Sequence, residues 1–298
     1  MRLRRVGPLA VRCVAVPGHH RRPGGMMPVV RPLLTPGEVA EATDDPLLRW
    51  ASQVLTPSYP RSGGSAWRLG GVVAVVAPGL FRRDRLVLGG TDLDTASART
   101  LFRQLGQRAG PAFRLTASEG LAELLLAADD HRGRLVSWGW MDIAAPQPGA
   151  PGAGSVRWLS AGELPEAAEL LRRANPDSWL WPGDPAATRW AGRWDAGGRL
   201  VAVGADSWPA PGVSLIAGVA TCPTARGRGL GGAVTGFLRD ALLREGTAAL
   251  MVDSTNTTAI RVYERLGFRY RRLASIEPAP VPAGPAGRTG TSSSTGSS

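Results

Sequence analysis

The chain contains no lysine; all 35 of its basic residues are arginine. That absence excludes a lysine nucleophile or Schiff base, and the skew itself is read as GC-rich coding in a bacterial source. Cysteine is scarce, with Cys13 and Cys222 alone, and the three histidines (His19, His20, His131) sit near neither. Without CxxC or HxxxH spacing, structural zinc and a disulfide framework are excluded, so no metal and a reducing, cytoplasmic compartment are expected. No apolar run approaches the roughly 18 residues of a membrane span. The longest, around Gly70 to Ala77, is strand-sized, so a soluble protein with no membrane partner is expected.

What is present is a 298-residue chain with 43% hydrophobic residues, enough for one large or two ordinary domains with proper cores. Its formal charge of +11 invites a nucleic-acid reading, which the charge distribution opposes. Arg2, Arg4, Arg5, Arg12, Arg21 and Arg22 crowd the first 26 residues without an acid, and Arg288 lies in the tail. The remainder is nearly balanced and shows no basic stripe interleaved with aromatics, so no nucleic-acid partner is expected.

Residues 1–26 are interrupted by Pro8, Pro17, Pro23 and Gly24-Gly25. They read as a disordered extension upstream of an alternative start at Met26 or Met27, with a targeting peptide as the other reading. The tail, 278–298, is Pro, Gly, Ser and Thr with one charge, a composition that cannot bury enough surface to fold. Residues 146–155 (PQPGAPGAGS) read as an interdomain linker, which divides the chain into 27–145 and 156–277.

In the second part the patterning predicts a strand at Val156 to Leu159, a helix over Leu164 to Ala174, and strands at Leu200 to Ala205 and Val213 to Thr221. A Gly-rich turn then opens a helix that ends by Gly246, followed by a strand at Ala248 to Asp253, a helix over Thr257 to Leu266 and a strand from Phe268. The order expected is βαα, a hairpin, then βαβαβ. The first part repeats much of it, with strands over Trp67 to Ala77, Arg85 to Gly89, Ala112 to Thr116 and Leu135 to Ile143, and helices over Thr95 to Gln107 and Gly120 to Ala128. Where the second part has its Gly-rich turn, the first has only TDLDTAS.

That turn lies in VATCPTARGRGLGG, where Arg226, Gly229 and Gly231 make an RxxGxG pattern at a helix start. Glycines let backbone N–H groups approach an anion closely, and a helix N-terminus supplies free donors and a positive dipole end. Gly227, Gly229 and Gly232 also fit GxGxxG, but a dinucleotide site needs an acid about 20 residues on, and Asp253 lies further away. A Gly-rich turn with two solvated arginines is the plain alternative. The later segment NTTAIRVYERLGF places Asn256 and Tyr263 two helical turns apart on one face, with Ala259 between them.

Taken together, PxxRGRGLG after a strand ending VAT, followed by NxxAxxxYxxLGF, resembles the GNAT N-acetyltransferase superfamily over roughly residues 155–275. The resemblance implies an α/β fold. With the first half likened to it by topology alone, since that half lacks both motifs, the expectation is two mixed-sheet domains in tandem, helices on both faces of each sheet, the N-terminal copy degenerate; a different α/β domain is the other reading of the first half. It implies acetyl-CoA as donor, its pantetheine arm held along Val219, Ala220 and Thr221 and by Asn256, and its pyrophosphate cradled by Arg226, Gly227, Arg228, Gly229, Leu230 and Gly231. Tyr263 would stand beside the sulfur as general acid. Many relatives carry a Glu in the strand before the phosphate turn; VSLIAGVAT offers only Ser214 and Thr221, so Asp206, Asp253 or a water chain are the alternatives for the base.

Trp179, Trp181, Trp190, Trp194 and Trp208 crowd the segment before the turn, either as an aromatic acceptor wall or as core. Cys222, without a neighbouring His, reads as a packed side chain. The function expected is transfer of acetyl from acetyl-CoA directly to a small-molecule amine; the alternative is a non-catalytic acyl-CoA-binding or regulatory protein. The oligomeric state is left open.

Overall fold

The computed structural model describes residues 29–110, 112–128, 133–145 and 156–278. The extension before residue 27, the linker 146–155 and the tail beyond 278 lie outside the described residues, as do Cys13 and the three histidines.

The chain is mixed α/β. Its first half runs β1 (Arg31–Leu33), α1 (Pro36–Ala42), α2 (Pro46–Ala51), β2 (Ser65–Leu69), β3 (Val72–Leu80), β4 (Arg83–Gly90), α3 (Thr95–Ala109), β5 (Arg114–Ser118), α4 (Glu119–Ala128) and β6 (Gly133–Ile143). Its second half runs β7 (Val156–Trp158), α5 (Leu164–Ala174), β8 (Ala187–Trp194), β9 (Leu200–Ala210), β10 (Val213–Thr221), α6 (Leu230–Leu242), β11 (Thr247–Val252), α7 (Thr257–Arg265) and β12 (Arg269–Pro278).

Local chemistry sets several of these boundaries. Ser160 and Glu163 form a reciprocal capping box ahead of α5, and Pro165 sits in its first turn, where a missing N–H costs nothing. Helix α7 stops because Gly267, at φ 89°, takes the left-handed conformation that lets the Phe268 amide donate to the Tyr263 carbonyl at 3.1 Å.

The described strands form one sheet in the order β1-β2-β3-β4-β5-β12-β6-β11-β10-β9-β8-β7. The order reads alike from either edge, with the parallel pairs β4–β5 and β10–β11 at matching places and antiparallel pairing elsewhere. The halves exchange their last strands: β12 pairs with β5 of the first half, β6 pairs with β11 of the second, and β12 and β6 pair with each other from Arg269↔Asp142 to Pro278↔Gly133. The tandem domains anticipated from sequence therefore share a single sheet.

Strand alternation places the cores. Val73, Val75 and Ala77 face a core under α1 and α2 that also takes in Val213, Leu215, Ala249 and Leu273 from the second half. Val72, Ala74 and Val76 face the opposite core, under α3 and α4. The β11 residues Ala248, Leu250 and Val252 meet α6 and α7 on that same opposite face.

Two expectations are corrected. The strand read over Trp67 to Ala77 is a hairpin, β2 and β3, turned at Gly70 (φ 59°) and at Gly71, where an added Cβ would run into the Thr91 carbonyl. The second helix expected after α5 is absent. Pro176, Pro182 and Pro185 break residues 175–186 into turns such as Ser178 N to Asn175 O (3.1 Å) and Asp184 N to Trp181 O (3.0 Å). The helices α1 and α2 and the strands β1 and β8 were not read from the sequence at all.

Because the exchange puts each half's last strand in the other's sheet, unfolding is expected to be one cooperative transition. Far-UV circular dichroism and tryptophan emission should give coincident urea curves. Two resolved transitions would contradict the shared sheet.

Candidate active site

The site begins where two parallel strands part. Strands β10 and β11 pair from Val213↔Thr247 to Ile216↔Leu250, and then β10 continues to Thr221 without β11 beside it. Gly218 (φ 61°) lies in a bulge against β9, between Ala217↔Ala205 and Ala220↔Val203. Only glycine relaxes there without strain, and an added Cβ would also meet the Trp190 ring at 2.5 Å. The divergence leaves Ala217, Gly218 and Val219 open to a cleft, while Ala220 and Thr221 stay paired with β9.

A cavity of about 590 Å³ opens on this cleft. Ala217, Gly218 and Val219 line it from β10, Met251 to Asp253 from the end of β11, and Asn256, Ala259 and Tyr263 from α7. The one-face reading of Asn256 and Tyr263 is thus observed. Asn256 caps α7, its side-chain oxygen accepting from the Ala259 amide at 3.1 Å, which leaves its NH₂ free for a ligand. Tyr263 is half-buried and packs edge-on to Phe268 with centroids 6.2 Å apart. Its hydroxyl has no hydrogen-bond partner among the described residues, and burial pushes its pKa up to about 12.

The Gly-rich turn follows β10. After a short 3₁₀ turn, Pro223–Ala225, Gly227 and Gly229 both take left-handed angles (φ 76° and 74°), and Gly229 serves as N-cap of α6 with no side-chain cap. The first amide bound in the helix is that of Ala233, donating to the Gly229 carbonyl at 2.9 Å. The amides of Gly227, Arg228, Gly229, Leu230, Gly231 and Gly232 find no acceptor among the described residues, a run of donors at the positive end of a helix. Arg226 turns away from this cradle: Nε donates to the Thr221 carbonyl at 3.4 Å and a terminal nitrogen to the Ala174 carbonyl at 3.0 Å. It fastens the turn to the end of α5, which leaves Arg228 as the side-chain cation of the turn.

The equivalent helix start in the first half is already filled. Asp94 caps α3, its carboxylate accepting from the Ala96 and Ser97 amides at 3.3 and 2.9 Å and from the Ser97 hydroxyl at 2.7 Å. Those bonds hold its pKa below the usual carboxylate range, the Ser97 hydroxyl first among them. An internal anion occupies the position where the second half offers free amides.

The two acids weighed as base part ways. Asp253 lines the cavity, with one oxygen accepting from the Thr255 amide and hydroxyl, both at 2.8 Å, which lowers its pKa. Asp206 does not line it; it is buried against Arg189 at 3.1 Å, and desolvation raises its pKa. Of the five tryptophans only Trp179 lines the cavity; Trp190 is core, and Trp181 and Trp194 pack around it. Cys222 packs beside the turn, Sγ 3.3 Å from the Thr224 hydroxyl.

Residues unforeseen from sequence complete the far side. Phe81, Arg83 and Arg85 reach it from the first half, with Trp138 of β6 and Ser275 and Glu277 of β12, while Asp177 joins from the loop after α5. Phe81 stacks on Trp179 (centroids 4.9 Å, 11° between planes), and Arg82 pairs with Asp184, so the β3–β4 turn is clamped to that loop. A signal for Arg85 was present: strand alternation puts it on the same face as Val87, a core residue.

Residues 199–275 match the family model described as FR47-like protein, the segment holding both motifs. Curated relatives named mycothiol acetyltransferase, from Mycobacterium avium and Mycolicibacterium vanbaalenii, are 31% and 34% identical over 159 and 150 residues. Those matches cover 43% and 42% of this chain, which spans about half (49%) of each relative. The X-ray structure of a Drosophila protein superposes with a TM-score of 0.50 at 15% identity, covering 84% of this chain and 99% of that one, a likeness of fold alone.

Two outcomes follow. Gly229→Val forces a left-handed residue to carry a branched side chain, and Gly231→Val drives a Cβ to 3.0 Å from the Thr221 hydroxyl oxygen. Calorimetry should show coenzyme A affinity lost in both, with the folded circular dichroism spectrum kept. Asp94→Ala should cost about 1 kcal/mol of stability as a lost cap, and equilibrium dialysis should find one coenzyme A per chain in the wild-type protein. A stoichiometry of two would contradict the filled first site.

Proposed function

We propose that this chain is a GNAT-type N-acetyltransferase that moves acetyl from acetyl-CoA directly to a small-molecule amine. The observation that carries the reading is the run of free amides at residues 227–232, which follows β10 beyond its parting from β11, with Tyr263 lining the cavity at that parting. The motif resemblance, the FR47-like match and the acetyltransferase names of the relatives support it. The fit to a diphosphate rests on that cradle: only glycines stand where a Cβ would be strained, at Gly227 and Gly229.

In this reading Gly227, Arg228, Gly229, Leu230 and Gly231 hold the pyrophosphate, with Arg226 bracing the turn from behind. Val219, Ala220 and Thr221 offer main-chain groups to the pantetheine, and the Asn256 NH₂ adds a donor. Acetyl-CoA supplies the activated acyl group. The Val219 amide steadies the negative charge that develops on a carbonyl oxygen during acyl transfer. An amine of pKa near 10 must shed a proton before it attacks, and the carboxylates at the cavity are Asp177, Asp253 and Glu277. Tyr263, held protonated by a pKa near 12, returns a proton to the departing thiolate.

We also read the first half, 27–145, as a degenerate copy of 156–277, supported by the matching strand order and by Asp94 where the second half has Gly229. Its remaining contribution is a wall of the acceptor cavity. A cytoplasmic setting is part of the proposal, in keeping with the thiol of Cys222, which has no disulfide partner among the described residues.

Tyr263→Phe is the test. The ring keeps its packing on Phe268 while the hydroxyl goes. Acetyl-CoA affinity should hold, and kcat should fall by about 10²- to 10⁴-fold in an assay where chemistry limits turnover. An unchanged kcat removes Tyr263 from the mechanism, and acetyl-CoA binding with no turnover on any amine favours a non-catalytic acyl-CoA-binding protein.

A further inference from the structure

The cavity's far wall carries a buried cation that no carboxylate contacts among the described residues. Arg85 is 8% exposed and lines the cavity, yet its hydrogen-bond partners are the neutral hydroxyls of Thr116 (3.0 Å) and Ser275 (3.2 Å), both reached by one terminal nitrogen. Its Nε is buried and unpartnered, and no carboxylate lies within ion-pair reach of it among the described residues. Around it the cations outnumber the acids. Glu277 alone faces Arg83, Arg114 and Arg134, at 3.9, 3.7 and 3.8 Å. A guanidinium out of water is costly unless an anion meets it; Nε is closed off, and the second terminal nitrogen of Arg85, which has no hydrogen-bond partner among the described residues, is the donor left for an anion in the cavity.

We propose that the acceptor is an amine that also carries a carboxylate, and that Arg85, assisted by Arg83, binds that carboxylate and so sets acceptor specificity. The inference rests on the acetyltransferase reading above. One free terminal nitrogen with Glu277 close by suits a single negative charge better than the double charge of a phosphate. The ring of Trp138 lies 5.8 Å from the Arg85 guanidinium carbon and helps to keep it from solvent, and that of Trp179 lies 5.9 Å from the guanidinium carbon of the half-exposed Arg83. All these residues except Trp179 and the β12 pair Ser275 and Glu277 come from the first half. That gives a half with a blocked cofactor position a direct part in substrate choice.

The test is a panel of ω-amino acids of increasing length, aliphatic and aromatic, each paired with its primary amide and its phosphonate, with kcat/KM measured on the full chain. Acids should exceed their amides by about ten- to a hundred-fold, the worth of a charge-assisted hydrogen bond. The Arg85→Gln variant should bring that ratio close to one through KM, with Arg85→Lys keeping part of the preference as a point charge. Should Arg85→Gln not fold, Arg83→Gln, at a half-exposed position, should narrow the ratio. Amides turned over as well as acids, phosphonates preferred over carboxylates, or a ratio that survives both variants would each overturn the proposal while leaving the acetyltransferase reading intact. Acetyl-CoA bound by calorimetry with no amine turned over would overturn both.

Discussion

The ladder between β6 and β12 holds the rest of the molecule in place. It joins the last strand of each half, from Arg269↔Asp142 to Pro278↔Gly133, and each of these strands also continues the other half's sheet. Neither half can close its sheet alone, because β11 would lose its neighbour β6 and β5 its neighbour β12. Side chains reinforce the exchange: Arg271 of β12 grips Asp45 ahead of α2 with bonds of 2.8 and 2.6 Å, and Arg269 of β12 pairs with Asp142 of β6 at 3.4 Å. Trp50 of α2 packs on Trp140 and donates to the Trp208 carbonyl in β9 at 3.0 Å, tying one half's helix to the other half's strand.

That arrangement explains how one cleft acquires two different walls. The divergence of β10 from β11 opens the sheet. On the side of α6 and α7 lie the free amides, Asn256 and Tyr263, and on the side of α1 and α2 lie Arg85, Trp138 and the clamped turn at Phe81. A donor entering from one face and an acceptor from the other would meet at Gly218 and Val219, where the bulge bends the strand. The first half follows the same plan to the point of its own parallel pair, β4 and β5, but Asp94 closes its helix start with an internal carboxylate. A carboxylate cap and the lack of the glycines of 227–232 separate this filled helix start from the one with free amides.

Much of the second half was legible in the residues. The limits of α5 and β10 follow from helical spacing and from apolar runs bounded by turns, and the Gly-rich turn and the Asn256–Tyr263 face declare themselves through short-range patterns. Three features escaped because they depend on distant contacts. The strand exchange leaves no local trace, since β6 and β12 look the same whichever neighbour they take. The guanidinium of Arg226, a phosphate ligand by its place in the motif, is held instead by the Ala174 carbonyl, 52 residues away. The acceptor wall combines Arg83 and Arg85 with Ser275 and Glu277, near opposite ends of the chain, and only Arg85 gave any hint of burial.

The central claim is that a donor binds the second half's cleft and not its counterpart in the first. Hydrogen–deuterium exchange with and without acetyl-CoA reads it most directly, since the free amides at 227–232 are themselves the reporters. The account predicts slowed exchange at 217–221 and 227–232 on adding acetyl-CoA, with residues 91–97 unchanged. Protection at 91–97, or none at 227–232, would contradict it.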